Sequence, residues 1–218
     1  MKTKLSIEVF FDFICPWCLI GKRQLQVAIQ QLKQTHPNVD VNIKWRGVQL
    51  LPSMPIEGIP FKAFYLQRLG NKTAVSMRQE QVRQAAKVVG VEIDFERIPR
   101  MPNTARAHSI FANAMRLGDS AQHDLFLEGL FSAYFHHSEN ISDLDVLQKI
   151  AMYCGYPEAQ IKELLDAPDI PFISANTGGK GVPYFVFNGS FALAGAHPAN
   201  MLYKAMLDAL AVQEQAAV

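Results

Sequence analysis

The sequence predicts an α/β domain interrupted by a large all-helical insertion, and three observations carry that expectation. Segments of alternating hydrophobicity occur near the two ends of the chain. The stretch between them, 61–169, gives helical signals throughout. The front junction is a proline-rich loop, Leu51 to Pro60, and the rear one approaches Thr177-Gly178-Gly179. The expected division is therefore 1–60 with 170–218 for the discontinuous α/β domain, and 61–169 for the insertion.

Taken in order, Lys4 to Phe11 alternates Leu5, Ile7, Val9 and Phe11 against its other residues and reads as a strand. Cys15-Pro16-Trp17-Cys18 follows at once. Leu19 to Gln34 reads as a helix with Leu25, Ala28, Ile29 and Leu32 on one face, ended by His36-Pro37-Asn38. Val39 to Trp45 alternates again as a second strand. In the insertion, Val75 to Val89 is closed by Gly90, Thr104 to Leu117 by Gly118, and His123 to His137 carries Leu127, Leu130, Phe131 and Tyr134. Ser142, with Asp145 three residues on, is read as the start of a further helix closed by Gly155, and Pro157 starts a short last one. Tyr184 to Phe187 and Phe191 to Ala194 then flank Asn188-Gly189 as a hairpin, and Pro198 opens a C-terminal helix with Met201, Leu202, Ala205 and Leu210.

Bulk properties narrow the function classes. Hydrophobic residues make up 49% and charged residues 19% of the 218, the balance of a globular protein. With 21 basic and 20 acidic residues and no long basic cluster, nothing favours a nucleic-acid partner. Lys2 and Lys4 precede an apolar stretch that Glu8 and Asp12 interrupt, so it reads as neither a signal peptide nor a membrane span, and the C-terminal QEQAAV carries no lipidation signal. The expected location is the cytoplasm. There, three cysteines make no disulfide framework, and a close pair reads as catalytic or metal-binding.

Cys15 and Cys18 stand directly behind a strand and open a helix. At i and i+3 on a first helical turn, two cysteines lie close enough for a disulfide. Unpaired N–H groups and the positive end of the dipole favour a thiolate at the first of them. Cys15 is thus expected to attack and to be the more exposed sulfur, and Cys18 to resolve the mixed disulfide. Pro16 suits an early helical position. Zinc would need further Cys or His at suitable spacing. Cys154 stands alone with Leu147, Ile150 and Ala151 and reads as buried filler, while His136-His137 read as surface. No metal is expected. Gly181-Val182-Pro183 directly precedes a strand 165 residues after Cys18, and gains meaning only beside the strand–CxxC–helix and hairpin–helix patterns.

Three blocks carry a family resemblance. FFDFICPWCLIGKRQL resembles the front of the FrnE-like branch of the DsbA family. RIPRMPNTARAH, Arg97 to His108, resembles that branch's segment in the helical insertion. GVPYFVFNGSFALAGAHP, Gly181 to Pro198, resembles its cis-proline loop, hairpin and final helix start. The resemblance implies a thioredoxin fold with a large all-helical insertion and dithiol–disulfide exchange, with Cys15, Cys18 and Pro183 at the working positions and the Val182–Pro183 bond cis against Cys15. It also implies cytoplasmic members, some linked to polyketide oxidation. His197 departs from the glutamine expected there.

The alternatives follow from the same architecture. Kappa-class glutathione transferases and 2-hydroxychromene-2-carboxylate isomerases share it but carry serine at the first cysteine position and bind glutathione. A thioredoxin-fold chaperone-like binding module is a third class. The intact cysteine pair favours exchange with protein thiols and disulfides or with glutathione as a redox partner, with no bound cofactor and no membrane partner. A homodimer is left open. Trp17 is expected to form an apolar lip and Val182 to offer its backbone to substrate. Asp12 reads as a turn residue in preference to a proton acceptor for Cys18, Asn103-Thr104 as a helix N-cap, His108 as structural, and Arg97 and Arg100 as solvated surface in preference to a carboxylate site.

Overall fold

The computed structural model describes residues 3–166 and 172–215. Its elements run, in order, β1 (Thr3–Phe11), α1 (Pro16–Thr35), β2 (Val39–Gly47), β3 (Ile59–Pro60), α2 (Phe61–Leu69), α3 (Lys72–Val88), β4 (Arg100–Met101), α4 (Ala105–Ala114), α5 (Ser120–Phe135), α6 (Leu144–Tyr153), α7 (Glu158–Asp166), β5 (Tyr184–Phe187), β6 (Phe191–Ala194) and α8 (Ala199–Gln215). They form two compact units, residues 1–48 with 174–218, and residues 49–173.

In the first unit a four-stranded sheet has the order β2-β1-β5-β6. β1 pairs with β2 in parallel, Leu5 beside Val41 and Ile7 beside Ile43, and with β5 antiparallel, Val9 beside Phe185. Because successive strand residues face opposite sides, Leu5, Ile7 and Val9 share one face with Phe185 and Phe187. That face is buried with Leu25, Ala28 and Leu32 of α1 and Leu202 and Met206 of α8, most of them wholly out of solvent. The parallel pair needs a crossover, and α1 supplies it. Between β5 and β6, Asn188 and Gly189 both take positive φ (47° and 71°), the type I′ geometry the sequence predicts, and the Ser190 N–H bonds the Phe187 carbonyl at 3.1 Å. Pairing resumes only at Phe191, so the loop holds one residue more than a two-residue turn.

Among the described residues, the regular elements of the second unit are helices and the two-residue β3–β4 pairing. α2 is a helix that the sequence reading does not separate from its surroundings. It lacks a polar N-cap, since Pro60 occupies that position. The start of α5 lies three residues before His123, because Asp119 and Gln122 form a capping box. The start of α6 corrects another expectation. Asp143, not Ser142, is its N-cap and accepts from the Asp145 N–H, while the Ser142 hydroxyl donates to Asn140 Oδ1. α6 lies close against α5 at Gly129, where a Cβ would come within 2.7 Å of Ile150 Cγ2.

The front boundary also differs from the expected one. Residues 49–60 belong with the insertion, because their hydrogen bonds go there. The Gln49 side-chain amide donates to Asn103 Oδ1 at 3.0 Å, Asn103 Nδ2 donates to the Met54 carbonyl at 2.6 Å, and Ile59 pairs with Met101. Prolines mark this loop as irregular, but they do not say which unit satisfies its backbone. The expected rear boundary at 169/170 lies outside the described residues.

Candidate active site

The site grows from the turn between β1 and α1. The Cys15 N–H bonds the Asp12 carbonyl at 3.1 Å, which closes the turn and delivers Cys15 to the N-cap of α1 in an extended conformation (φ −89°, ψ 109°). Its carbonyl then accepts from the Cys18 N–H at 2.9 Å, and Pro16 occupies the first helical turn, where an N–H would have no partner. Cys15 thus sits where helix N–H groups point outward, and Cys18 lies one turn further in. Both thiols are free, at 8% and 3% exposure.

From across the sheet the chain entering β5 comes up beside them. The Val182–Pro183 peptide bond is cis, and the Cys15 thiol donates to the Val182 carbonyl at 3.7 Å. The Pro183 carbonyl is held by the Gly195 N–H at 2.7 Å, which ties this segment to the end of β6. The four residues Cys15, Cys18, Val182 and Pro183 are therefore gathered in one place, all within the first unit. Trp17, expected to form an apolar lip, is half-buried between the two cysteines in sequence.

Burial, followed by the hydrogen bond and charge of Cys15, holds the Cys18 thiol well above the ordinary cysteine range. Asp12 is the turn residue the sequence predicts, its carbonyl closing the turn before Cys15. It is wholly buried; a hydrogen bond from its backbone pulls the Cys18 thiol down, and its charge pushes it up by less. Lys22, one turn beyond Cys18, is also buried at 3% exposure. Neither burial was legible, because a charged residue in a helix or turn reads as solvated by default.

The remaining candidates lie elsewhere. In the insertion, Asn103 Oδ1 caps α4 by accepting from the Ala105 N–H, whereas the Thr104 hydroxyl makes no cap bond. His108 is buried and stacks on Phe172 with ring centroids 4.8 Å apart. Arg100 donates to the carbonyls of Glu57 and Gly58, a structural use that its charge alone does not announce, and Arg97 is exposed. In the first unit, His197 contacts the Ala194 carbonyl at 3.0 Å. Among the described residues no group of three or more His, Cys, Asp or Glu could hold a metal ion, and no helix is long and apolar enough to cross a membrane.

Cys154 is buried at the C-cap of α6, and burial pushes its thiol up to about 11 from an ordinary 9. A thiol with a raised folded-state pKa contributes stability that is complete below the unfolded pKa and disappears as pH climbs through the folded one. Between pH 9 and about 11 the reduced protein should therefore lose about 2 kcal/mol through this group. Urea midpoints measured from pH 8.5 to 11 should fall more steeply for the wild type than for Cys154→Ala. Equal slopes would show that Cys154 titrates normally.

A parallel–antiparallel sheet with a CxxC at the start of its first crossover helix, faced by an X-Pro segment entering the next strand, is the layout of a thioredoxin fold, here with a helical insertion. The chain belongs to the DSBA-like thioredoxin domain family, which matches residues 6–207. That family generally catalyses thiol–disulfide exchange. The chain is 28% identical over 162 residues to the uncharacterised protein YwbO of Bacillus subtilis, covering 74% of this chain and 72% of that one. Its fold is similar to that of a probable DsbA oxidoreductase from Streptomyces coelicolor, with a TM-score of 0.79 at 20% identity over 94% of this chain and 89% of the other. It is also similar to the cytosolic disulfide reductase DsbM from Pseudomonas aeruginosa solved with GSH, with a TM-score of 0.58 at 14% identity over 97% and 98%.

Proposed function

We propose that this protein is a thiol–disulfide oxidoreductase that cycles Cys15 and Cys18 between dithiol and disulfide against protein or small-thiol partners, glutathione among them. The observation that carries this reading is the asymmetry of the pair. Cys15 stands at the helix N-terminus with its sulfur 3.7 Å from the Val182 carbonyl, and Cys18 is buried one turn behind with its proton held. Cys15 attacks as the thiolate, since the thiolate is the nucleophile and Cys18 keeps its proton. It forms a bond to one sulfur of a substrate disulfide, and the other substrate sulfur leaves as a thiolate. Cys18 then loses its proton and attacks the Cys15 sulfur, expelling the second substrate thiolate. The protein ends oxidised and the substrate reduced, and the same steps reversed oxidise a dithiol. Val182 offers backbone groups to an extended substrate segment, as in strand addition.

The test is an equilibrium titration of the pair against reduced and oxidised glutathione, read by alkylation and mass. The expected reduction potential lies between those of thioredoxin and DsbA, roughly −270 to −120 mV, because Trp17 between the cysteines adds no positive charge to stabilise the thiolate. A protein that forms no Cys15–Cys18 disulfide under any ratio, and instead binds glutathione non-covalently, would replace this reading with the glutathione-dependent transferase or isomerase one.

A further inference from the structure

Glycine is the poorest helix former after proline, yet Gly21 lies in the interior of α1, buried, one turn beyond Cys18. Its backbone is not in the left-handed region that excludes side chains, so conformation does not explain it. Space does. A Cβ at Gly21 would stand 3.0 Å from Pro183 Cγ, 3.2 Å from Phe185 Cζ and 3.5 Å from Pro183 Cβ. Two of these three contacts are to the ring whose preceding residue carries the carbonyl beside the Cys15 sulfur.

We infer that Gly21 is a positioning residue that sets the gap between α1 and the Val182–Pro183 segment, and through it the capture of extended disulfide substrates. This rests on the proposed exchange function. The mechanics follow from what can move. Phe185 is wholly buried between the sheet and its helices, so it does not yield. Pro183 is pinned by its carbonyl to Gly195 but lies just before the strand, in irregular chain. A methyl group at position 21 therefore displaces the proline ring away from α1 by a few tenths of an ångström, and Val182 moves with it. The Cys15 sulfur, fixed at the start of α1, stays where it is. An extended substrate must meet the sulfur and the Val182 backbone together, so it registers the change. A small disulfide needs only the sulfur.

The experiment compares wild type with Gly21→Ala on two substrates: an extended peptide containing a disulfide, and the small aromatic disulfide 5,5′-dithiobis(2-nitrobenzoate). The expected result is a KM for the peptide raised about tenfold, since sub-ångström misplacement is costly where geometry is shared between groups. The small disulfide should react within about twofold of the wild-type rate, since it does not use Val182. A second variant guards against misfolding. Gly21→Ala/Phe185→Leu removes the contact with the aromatic ring and keeps the methyl against Pro183, so the peptide KM should remain raised. An unchanged peptide KM in whichever variant folds would overturn the role of Gly21, and so would an equal loss on both substrates. Failure of the wild type to react with either substrate would instead remove the exchange function on which the inference stands.

Discussion

Cys15→Ser should reduce disulfide exchange to the uncatalysed background, while Cys18→Ser should keep the first step and stop at the second. The two sulfurs are neighbours in sequence and both are nearly out of solvent, so composition alone would make them interchangeable. Their surroundings do not. Cys15 has the helix N-terminus and the Val182 carbonyl, and Cys18 has burial that holds its proton. Without Cys15 no mixed disulfide can form at this site. Without Cys18, a mixed disulfide on Cys15 has no internal thiol to displace it and should accumulate. Incubation with a disulfide-containing protein, acid quenching and non-reducing electrophoresis should show a stable covalent complex with Cys18→Ser and none with Cys15→Ser. Cys154→Ser should exchange at close to the wild-type rate, because Cys154 belongs to the other unit and serves its packing. A covalent complex trapped through Cys18, or loss of exchange on changing Cys154 alone, would reverse the roles assigned here.

The parts of this fold legible in the sequence were those with a strong local signature. The alternation of Leu5, Ile7, Val9 and Phe11 against outward residues marks β1, because only a strand turns that pattern into one buried face. Asn188-Gly189 marks the hairpin, because two consecutive positive φ angles favour those residues. The cysteine pair stood out by its place between a strand and a helix, and Pro183 only beside that pattern and the hairpin–helix pattern behind it. What stayed hidden depends on partners distant in sequence. The Leu51–Pro60 loop reads only as a boundary until Asn103 is seen holding Gln49 and Met54. Asp143 outcompetes Ser142 as a cap because Ser142 is engaged by Asn140, which no capping pattern records. Asp12 and Lys22 are buried against the expectation for charged residues, and Gly21 looks like an ordinary helix defect until Pro183 is placed against it. A contact whose two halves lie 162 positions apart, as Gly21 and Pro183 do, leaves no periodic trace in either half.

The second large effect concerns pH and the resolving step. When reduced protein meets 5,5′-dithiobis(2-nitrobenzoate), Cys15 should release one coloured thiolate and Cys18 a second, so the two chemical steps become two absorbance phases. The second phase should speed up about tenfold per pH unit, and roughly 100-fold between pH 7 and 9, since below a thiol's pKa its reactive thiolate fraction grows tenfold per unit. The sign follows from the causes acting on Cys18. Burial is the largest, and the hydrogen bond and charge of Cys15 come next. Once Cys15 is in a mixed disulfide its charge is gone, which relieves part of the upward push. Burial remains, so the Cys18 thiol is still protonated at neutral pH and its ionisation still limits resolution. Run in a Cys154→Ala background, the assay counts only the two active-site thiols, and Cys18→Ser should show the first phase alone. A second phase that is flat from pH 7 to 9 would mean that Cys18 is already ionised in the mixed disulfide. The charge of Cys15 would then be the dominant cause of its raised pKa, and burial the lesser one.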